Sequence, residues 1–243
     1  MKNYKITIQY DGTDFSGWQK QKFQKSIQGT IEEKIKIITK EDVNLIGAGR
    51  TDAGAHAIGQ VANFYLEQEI NFSKFLYSLN SLLPESIFIK DIEVVNDEFH
   101  ARFDAKKRKY IYIIRNSKNP FYQKYSYLYK NNLDIKKLNN YAKYLIGEHN
   151  FFNFCKETED VKHYNCIMYK LQFHKYNDLI IVELLANRFI YGMIRTTIGT
   201  LLKFHDNNLP AELLLEILNL QNYNPFKQFI VPAQGLILKK VYY

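Results

Sequence analysis

The chain has 243 residues, of which 46% are hydrophobic, 15% aromatic and 24% charged. That balance is typical of a packed globular protein and excludes a mainly disordered one. Lysine and arginine number 33 against 25 aspartates and glutamates, so the formal charge of +8 favours an anionic partner. We expect a cytoplasmic protein, because no apolar run approaches the length of a membrane span and residues 1–11 alternate polar with apolar side chains.

The two cysteines indicate buried thiols and not a metal or disulfide site. Cys155 and Cys166 are too few for a disulfide scaffold, and their spacing differs from that of zinc ribbons and redox motifs. His163 lies near Cys166, but a fourth ligand for a metal is missing. We therefore predict no metal site at these residues.

The positive charge is concentrated in residues 100–130, where nine basic residues accompany one acid, Asp104. The nine are Arg102, Lys106, Lys107, Arg108, Lys109, Arg115, Lys118, Lys124 and Lys130. Aromatic residues lie among them, including Tyr110, Tyr112, Phe121, Tyr122, Tyr125, Tyr127 and Tyr129. Cations interleaved with rings suit the phosphates and unstacked bases of RNA. A solvated linker beside an aromatic strand accounts for the charge alone equally well. A membrane-surface helix fits worse, because Pro120 interrupts the segment and its tyrosines recur with period two.

Apolar periodicity predicts an α+β fold of two similar halves, residues 1–104 and 105–243. In the first half we predict strands at 4–10, 43–47, 60–66, 87–95 and 99–103, and helices at 27–38, capped by Ser26, and 72–83. In the second half we predict strands at 110–115, 168–174, 179–186 and 236–242, and helices at 133–146, 189–204 and 211–218. We expect mostly antiparallel sheets joined into one extended sheet, helices on one side, and a cleft between the halves.

The loop at residues 47–56, Gly-Ala-Gly-Arg-Thr-Asp-Ala-Gly-Ala-His, is the most informative segment. Its three glycines permit tight turns, and Arg50 and Asp52 project into one region. The glycine spacing fits neither a dinucleotide-binding motif nor a P-loop. From spacing alone, the two charged side chains could equally serve only to brace the turn.

This loop resembles the Gly-Arg-Thr-Asp-Ala-Gly-Val-His signature of the TruA family of tRNA pseudouridine synthases, with Ala55 where the family usually carries valine or isoleucine. Further family-like blocks follow in family order over almost the whole chain: 10–13 and 17–19, 99–103, 107–110, Phe189, 193–195, 198–200, 232–233 and 235–236. The chain departs from the family at Tyr191 and Gly192, where His or Arg is common.

The resemblance implies the pseudouridine synthase fold and an isomerase that detaches uracil through N1 and rejoins it through C5 without a cofactor. It implies that Asp52 is the nucleophile, that Arg195 pairs with it, and that Tyr110 packs on the target base and assists proton transfer. Nucleophilic attack on C6 of uracil or on C1′ of ribose fits the chemistry of a carboxylate equally well.

The resemblance also implies the substrate, uridines 38, 39 and 40 of the tRNA anticodon stem-loop, and a homodimer that holds one tRNA across both subunits. The residues expected to contact RNA are Arg50, Thr51, His56, Arg102, Lys106, Lys107, Arg108, Lys109 and Tyr110. His56 and His100 are expected to be structural or RNA-contacting and not acid–base catalysts.

Two other functions compete with this interpretation. A noncatalytic RNA-binding or RNA-chaperone protein on the same fold would explain the basic, tyrosine-rich segment without needing Asp52. A nucleoside or glycoside hydrolase would need a second positioned acid. Asp11 and Asp14 are available for that role, but they are more simply explained as turn residues.

Overall fold

The computed structural model describes residues 1–156, 161–219 and 224–243, and the chain divides into two compact units. The first comprises Met1–Lys106 and Ile237–Tyr243, and the second comprises Lys107–Leu236. Each combines helices with mostly antiparallel strands, which confirms the predicted α+β class. Within the described ranges, no helix is long and apolar enough to cross a membrane.

Residues 1–106 form four strands and two helices: β1 (Lys2–Tyr10), α1 (Ile27–Thr39), β2 (Ile46–Gly47), β3 (His56–Leu66), α2 (Phe72–Leu82) and β4 (Ile87–Val95). The elements that follow are β5 (Lys107–Arg115), β6 (Tyr127–Leu128), α3 (Ile135–Lys143), β7 (Gly147–Asn150), β8 (Asn165–Tyr176), β9 (Leu179–Ala186), α4 (Met193–Asp206), α5 (Leu213–Asn219) and β10 (Leu236–Tyr242). Three short 3₁₀ segments lie at Pro120–Tyr125, Phe152–Phe154 and Ala233–Gly235.

In the first unit, β1 pairs antiparallel with both β3 and β4, β2 pairs antiparallel with β3, and β10 runs parallel to β3. Side chains on β1 alternate as predicted, so Tyr4, Ile6, Ile8 and Tyr10 are buried. The ring of Tyr4 contacts the ring of Phe72 of α2, which places this helix on the apolar face of the sheet.

Helix α1 begins where the sequence predicts. The Ser26 side chain accepts a hydrogen bond from the backbone N–H of Gly29, as an N-cap does. Ile27, Ile31 and Ile35 are fully buried, and burial of each side chain contributes about 1.5–3 kcal/mol. The helical spacing of these isoleucines therefore fixes which side of α1 meets the core.

In the second unit the strand order is β7, β8, β9, β5, all antiparallel, with β6 parallel to β5. Helix α3 packs on β8, where the Asn139 side chain bonds both the N–H and the C=O of Phe173. On β5 buried Tyr110, Tyr112 and Ile114 alternate with less buried residues.

The predicted strand at 99–103 is wrong, because these residues lie in a turn. The backbone N–H of His100 donates to Asp104 Oδ2, and His100 Nδ1 accepts from the N–H groups of Arg102 and Phe103. The Asn63 side chain accepts from the N–H of Ala101. Side chains therefore satisfy the polar backbone here, and no strand partner is needed.

Three other predicted boundaries also need correction. The helix predicted at 189–204 begins at Met193, because Gly192 adopts φ +74° immediately before it. The strand predicted at 43–47 is confined to Ile46–Gly47. Strand β5 begins at Lys107, so most of the basic block 106–109 belongs to a strand and not to a preceding linker.

Candidate functional site

The loop between β2 and β3 is closed by hydrogen bonds to β3. The N–H of Ala48 donates to the carbonyl of Val61 over 2.8 Å, and Gln60 Nε2 donates to the carbonyl of Gly49 over 2.9 Å. A second turn follows, in which the N–H of Ala55 donates to the carbonyl of Asp52 over 3.1 Å. Asp52 therefore begins a tight turn whose backbone is held at both ends.

The end of β1 and the segment that follows it contact this loop at Thr51. The N–H of Trp18 donates to the carbonyl of Thr51 over 3.1 Å, and the hydroxyls of Tyr10 and Thr51 lie 2.8 Å apart. Thr51 is only 8% exposed, so its side chain lies in the protein interior. The residue before Asp52 is thus fixed by two separate contacts.

Two glycines in that segment permit the close approach. A Cβ atom on Gly12 would lie 1.9 Å from the carbonyl oxygen of Ala55, which no side chain can tolerate. Gly17 adopts φ +87°, and a Cβ atom there would lie 2.6 Å from the carbonyl oxygen of Thr51. The family-like blocks at 10–13 and 17–19 therefore shape the loop.

His56 lies inside the first unit and is 3% exposed. Its Nδ1 is 3.1 Å from the N–H nitrogen of Gly12 and 3.1 Å from Asp11 Oδ1. Asp11 Oδ1 also accepts from the N–H of Thr13 over 2.9 Å. These contacts tie the start of β3 to the turn after β1, and they occupy Asp11 as a turn residue.

Arg50 is exposed on the loop surface, and Asp52 is partly exposed two residues later. Arg50 Nε donates to Gln19 Oε1 over 3.0 Å, which uses one of the five guanidinium N–H donors. The roles of Gln19 and Gln60 in supporting the loop were not predicted, although Gln19 lies in the family-like block 17–19 and Gln60 lies in β3, which follows the loop. Their partners are set by tertiary structure, which spacing does not reveal.

Arg102 lies in the turn that replaces the predicted strand 99–103. Its side chain is exposed, and its guanidinium carbon is 5.7 Å from the centroid of the Phe103 ring. Phe103 is itself 75% exposed. The turn therefore presents a cation beside an exposed ring, a pair suited to phosphates and bases.

Tyr110 and Tyr112 occupy one face of β5 in the second unit. Tyr110 is 6% exposed, and its ring meets that of Phe189 edge to face with centroids 5.2 Å apart. The Tyr112 hydroxyl donates to the carbonyl of Pro232 over 2.8 Å, and burial raises its pKa well above the ordinary range. Tyr112 is therefore a neutral structural hydrogen-bond donor.

Arg195 lies in the first turn of α4, between buried Ile194 and buried Ile198. Its Nε donates to the carbonyl of Val231 over 2.7 Å, and its own carbonyl accepts from the N–H of Val231. This double contact fixes the direction of the guanidinium. A cation among apolar side chains needs an anionic or polar partner.

The basic block 106–109 divides between two sides of β5. Lys106 precedes the strand and is exposed, while Arg108 shares the face of Tyr110 and donates through Nη1 to the carbonyl of Asn187. Lys107 and Lys109 lie on the other face. The four cations therefore do not form a single basic surface that could bind consecutive phosphates of one RNA strand.

Glu183 of β9 lies on the same face of the sheet as Lys107 and Lys109, where two lysines and a histidine approach its carboxylate. Lys109 Nζ lies 2.8 Å from its Oε1, Lys170 contacts its Oε2, and His174 Nε2 lies 3.8 Å from that oxygen. Hydrogen bonds from Lys109 and Lys170 lower the Glu183 pKa to about 2. Lys109 thus has an internal partner, which sequence analysis did not predict.

The structure divides the predicted site residues between the two units. Arg50, Thr51, Asp52 and His56 lie together on one loop, and Arg102 and Lys106 belong to the same first unit. Tyr110, Arg195 and the remaining basic residues belong to the second unit. The pairing of Asp52 with Arg195 stays a prediction.

Both thiols are buried, at 1% exposure each for Cys155 and Cys166. Burial raises the pKa of Cys166 to about 11. His163 Nε2 lies 3.3 Å from Arg188 Nη1. Among residues 1–156, 161–219 and 224–243, no group of three or more His, Cys, Asp or Glu side chains could hold a metal ion.

Comparison with known proteins agrees with the loop motif. A family model described as tRNA pseudouridine synthase matches residues 6–104 and 141–243. The chain is 38% identical to tRNA pseudouridine synthase A of Brachyspira hyodysenteriae, over 100% of this chain and 99% of that protein. It is 40% identical to the protein of that name from Caldicellulosiruptor bescii over the full length of both. A third relative of that name, from Caldicellulosiruptor saccharolyticus, is 43% identical over 83% of this chain and 84% of its own. The predicted family is confirmed.

Proposed function

This chain belongs to the tRNA pseudouridine synthase family, and we propose that it acts at uridines 38, 39 and 40 of the anticodon stem-loop with Asp52 as its nucleophile. It is an isomerase that converts uridine in tRNA to pseudouridine. The observation that carries the assignment of Asp52 is its position on a loop whose neighbouring residue, Thr51, is fixed by Trp18 and Tyr10.

The reaction needs one nucleophile and one proton acceptor. The Asp52 carboxylate forms a covalent bond to C6 of uracil or to C1′ of ribose, the N1–C1′ bond breaks, and the uracil turns. A bond from C5 to C1′ then forms, the bond to Asp52 breaks, the proton on C5 departs, and N1 takes up a proton. Substrate and product have the same atoms, so no oxidant, reductant or co-substrate is consumed.

Arg195 is proposed to pair with Asp52. An ionised carboxylate in a site closed to water needs a nearby cation to offset its desolvation. The hydrogen bond from Arg195 Nε to the carbonyl of Val231 supports this role. It uses the Nε edge of the guanidinium and leaves the N–H groups of the two terminal nitrogens to bond a carboxylate.

Tyr110 and Arg50 are proposed to handle the target nucleotide. Tyr110 would pack on the uracil and assist removal of the C5 proton, while Arg50, exposed beside the nucleophile, would hold the nucleotide out of the stack. His56 is buried and bonded to the turn after β1, so we assign it to supporting the loop and thereby the RNA-binding surface.

The remaining cations are proposed to bind phosphates. Arg102 and Lys106 are exposed in the first unit, and Lys107 is exposed in the second with its Nζ over the Tyr169 ring at 4.5 Å. Arg108 and Lys109 already have protein partners and would contribute less. The charge of +8 supports an anionic macromolecule as the ligand.

We also propose a cytoplasmic homodimer. Transfer RNA substrates are cytoplasmic, and a chain of 243 residues is small beside a tRNA, so two copies would bind it more completely. Size-exclusion chromatography with light scattering, with and without tRNA, tests the oligomeric state. A monomer under both conditions would refute the dimer.

Release of tritium from tRNA labelled at C5 of uridine tests the function. C5 must lose its hydrogen to become the glycosidic carbon, so wild type should release tritium from anticodon-stem uridines without added metal or nucleotide. Asp52→Asn keeps the shape of the side chain and removes its nucleophilicity, so it should bind tRNA and release none. A wild-type protein that binds tRNA and releases nothing would favour the RNA-binding or RNA-chaperone function.

A further inference from the structure

A tight turn beside the catalytic loop exposes a phenylalanine almost completely. Gln21 and Gln24 form a β-bridge that encloses Lys22 and Phe23. The Phe23 side chain is 95% exposed, and its φ is +65°. Both properties are unfavourable for a large apolar residue in water.

The backbone conformation at Phe23 is one that glycine or asparagine normally adopts. Turns with positive φ at the third residue normally use glycine or asparagine there. Among the described residues, the other non-glycine positions with positive φ are Lys40, which ends α1, and two asparagines, Asn177 and Asn208. Strained residues of this kind cluster at binding and catalytic sites.

The surroundings of Phe23 are basic. Residues 15–31 contain three lysines and no acid. Lys22 Nζ lies 5.3 Å from the centroid of the Phe23 ring, and Lys25 Nζ lies 4.7 Å from that of Phe15. Lys20 pairs with Glu32 over 3.0 Å, which leaves Lys22 as the lysine beside the Phe23 ring. A solvent-exposed ring with a lysine beside it suits a nucleic-acid base and its phosphate.

The turn is joined to the support of the catalytic loop. The N–H of Ser16 donates to the carbonyl of Lys25 over 2.9 Å, which brings the two ends of the segment together. Within it, Gln19 accepts from Arg50 Nε. Phe23 lies four positions after Gln19, so their Cα atoms are at most about 14 Å apart, roughly the length of four stacked bases.

We propose that Phe23 stacks on an unpaired base of the tRNA substrate next to the target uridine. The ring offers a flat apolar surface without hydrogen-bonding groups, so it would hold a base of any identity. This contact would fix the position of the RNA relative to Arg50 without selecting for the identity of the stacked base. The inference rests on the proposed function for the identity of the RNA.

Substitutions that separate ring stacking from apolar contact test the proposal. The probe is an anticodon stem-loop RNA with fluorescent 2-aminopurine at each loop position in turn. Phe23→Ala and Phe23→Leu should each weaken binding about tenfold and abolish quenching at one position, while Phe23→Trp should keep both. Tyr77→Ala removes a 77% exposed ring from α2 and should change neither, so it is the matched control.

Wild-type affinity and quenching in Phe23→Ala would overturn the proposal. Equal binding by Phe23→Leu and wild type would replace stacking with simple apolar contact and would also overturn it. Phe23→Gly suits positive φ, so its melting temperature should not fall even as its RNA affinity does, which separates binding from folding. Failure of wild type to release tritium would instead refute the proposed function and leave the quenching result intact.

Discussion

The backbone N–H of Trp18 donates a hydrogen bond of 3.1 Å to the carbonyl of Thr51, so the segment after β1 directly sets the residue before the proposed nucleophile. Trp18 is 2% exposed and also abuts Gly47, where a Cβ atom would lie 2.6 Å from its indole ring. Trp18 thus contacts the start of the loop with its indole ring and the middle of the loop with its backbone N–H. Preorganisation of this kind removes the cost of ordering a nucleophile during reaction.

Gly17→Ala should misplace Asp52. The new Cβ atom would lie 2.6 Å from the Thr51 carbonyl oxygen, and alanine disfavours the φ of +87°. We expect the free energy of unfolding to fall by about 2 kcal/mol and kcat to fall about 100-fold, with little change in tRNA affinity. Urea denaturation and tritium-release kinetics measure the two effects.

Gly49→Ala is the control for stability, since a Cβ atom on Gly49 meets nothing within 4 Å. Its free energy of unfolding should stay the same or rise by about 0.5 kcal/mol. If both substitutions lowered the free energy of unfolding equally, the cause would not be the clash between Cβ of residue 17 and the Thr51 carbonyl, because Gly49→Ala has no such clash.

Elements with strong local signals could be predicted from the sequence. The period-two alternation of β1 and the Ser26 cap of α1 are properties of short segments, and both occur as predicted. The family was likewise recognised from the ten residues of the loop at 47–56. Local patterns suffice where neighbouring residues determine the backbone.

Elements set by distant partners could not be predicted. The alternation of Phe99, Ala101 and Phe103 imitates a strand, but Asn63 binds the backbone of Ala101 and produces a turn. The ion pair between Lys109 and Glu183 on β9 was likewise not predicted. Neither partner is visible in the local sequence.

Arg195→Lys should lower kcat while tRNA affinity changes little. Lysine keeps the charge but has all its donors on one nitrogen, so it cannot reproduce the separate positions of Nε, which bonds Val231, and the two terminal nitrogens of the guanidinium. Weakening the proposed pair with Asp52 should cost about 3 kcal/mol, or roughly 100-fold in kcat. Lys203→Met, on the same helix with its Nζ over the Phe229 ring, is the control and should keep kcat. Wild-type kcat in Arg195→Lys would remove Arg195 from the proposed mechanism.

Lys106→Gln and Lys109→Gln should affect RNA binding differently. Lys106 is exposed, so its loss should reduce the slope of log Kd against log salt by about 0.7–0.9. Lys109 is bonded to Glu183, so its loss should change the slope less. Affinity for tRNA measured at several potassium chloride concentrations tests this. Equal changes in slope would mean that Glu183 does not compete with phosphate for Lys109.

Glu183→Gln should destabilise the protein at neutral pH but not in strong acid. The lysine partners lower the Glu183 pKa from an ordinary value near 4.5 to about 2, so the ionised carboxylate stabilises the fold above the ordinary value. That contribution is lost as the pH falls from about 4.5 to about 2. Allowing for the partial exposure of the side chain, we expect a difference of about 2 kcal/mol at pH 7 that vanishes near pH 2.

Glu93→Gln supplies the comparison, because Glu93 pairs with Lys5 over 2.6 Å while its side chain is 51% exposed. Exposed pairs contribute little, so this variant should follow wild type within about 0.5 kcal/mol at every pH. Urea denaturation at pH steps from 7 to 2 gives both curves. A Glu183→Gln deficit that persisted unchanged at pH 2 would assign the stabilisation to packing, since by then the wild-type carboxylate has taken up its proton.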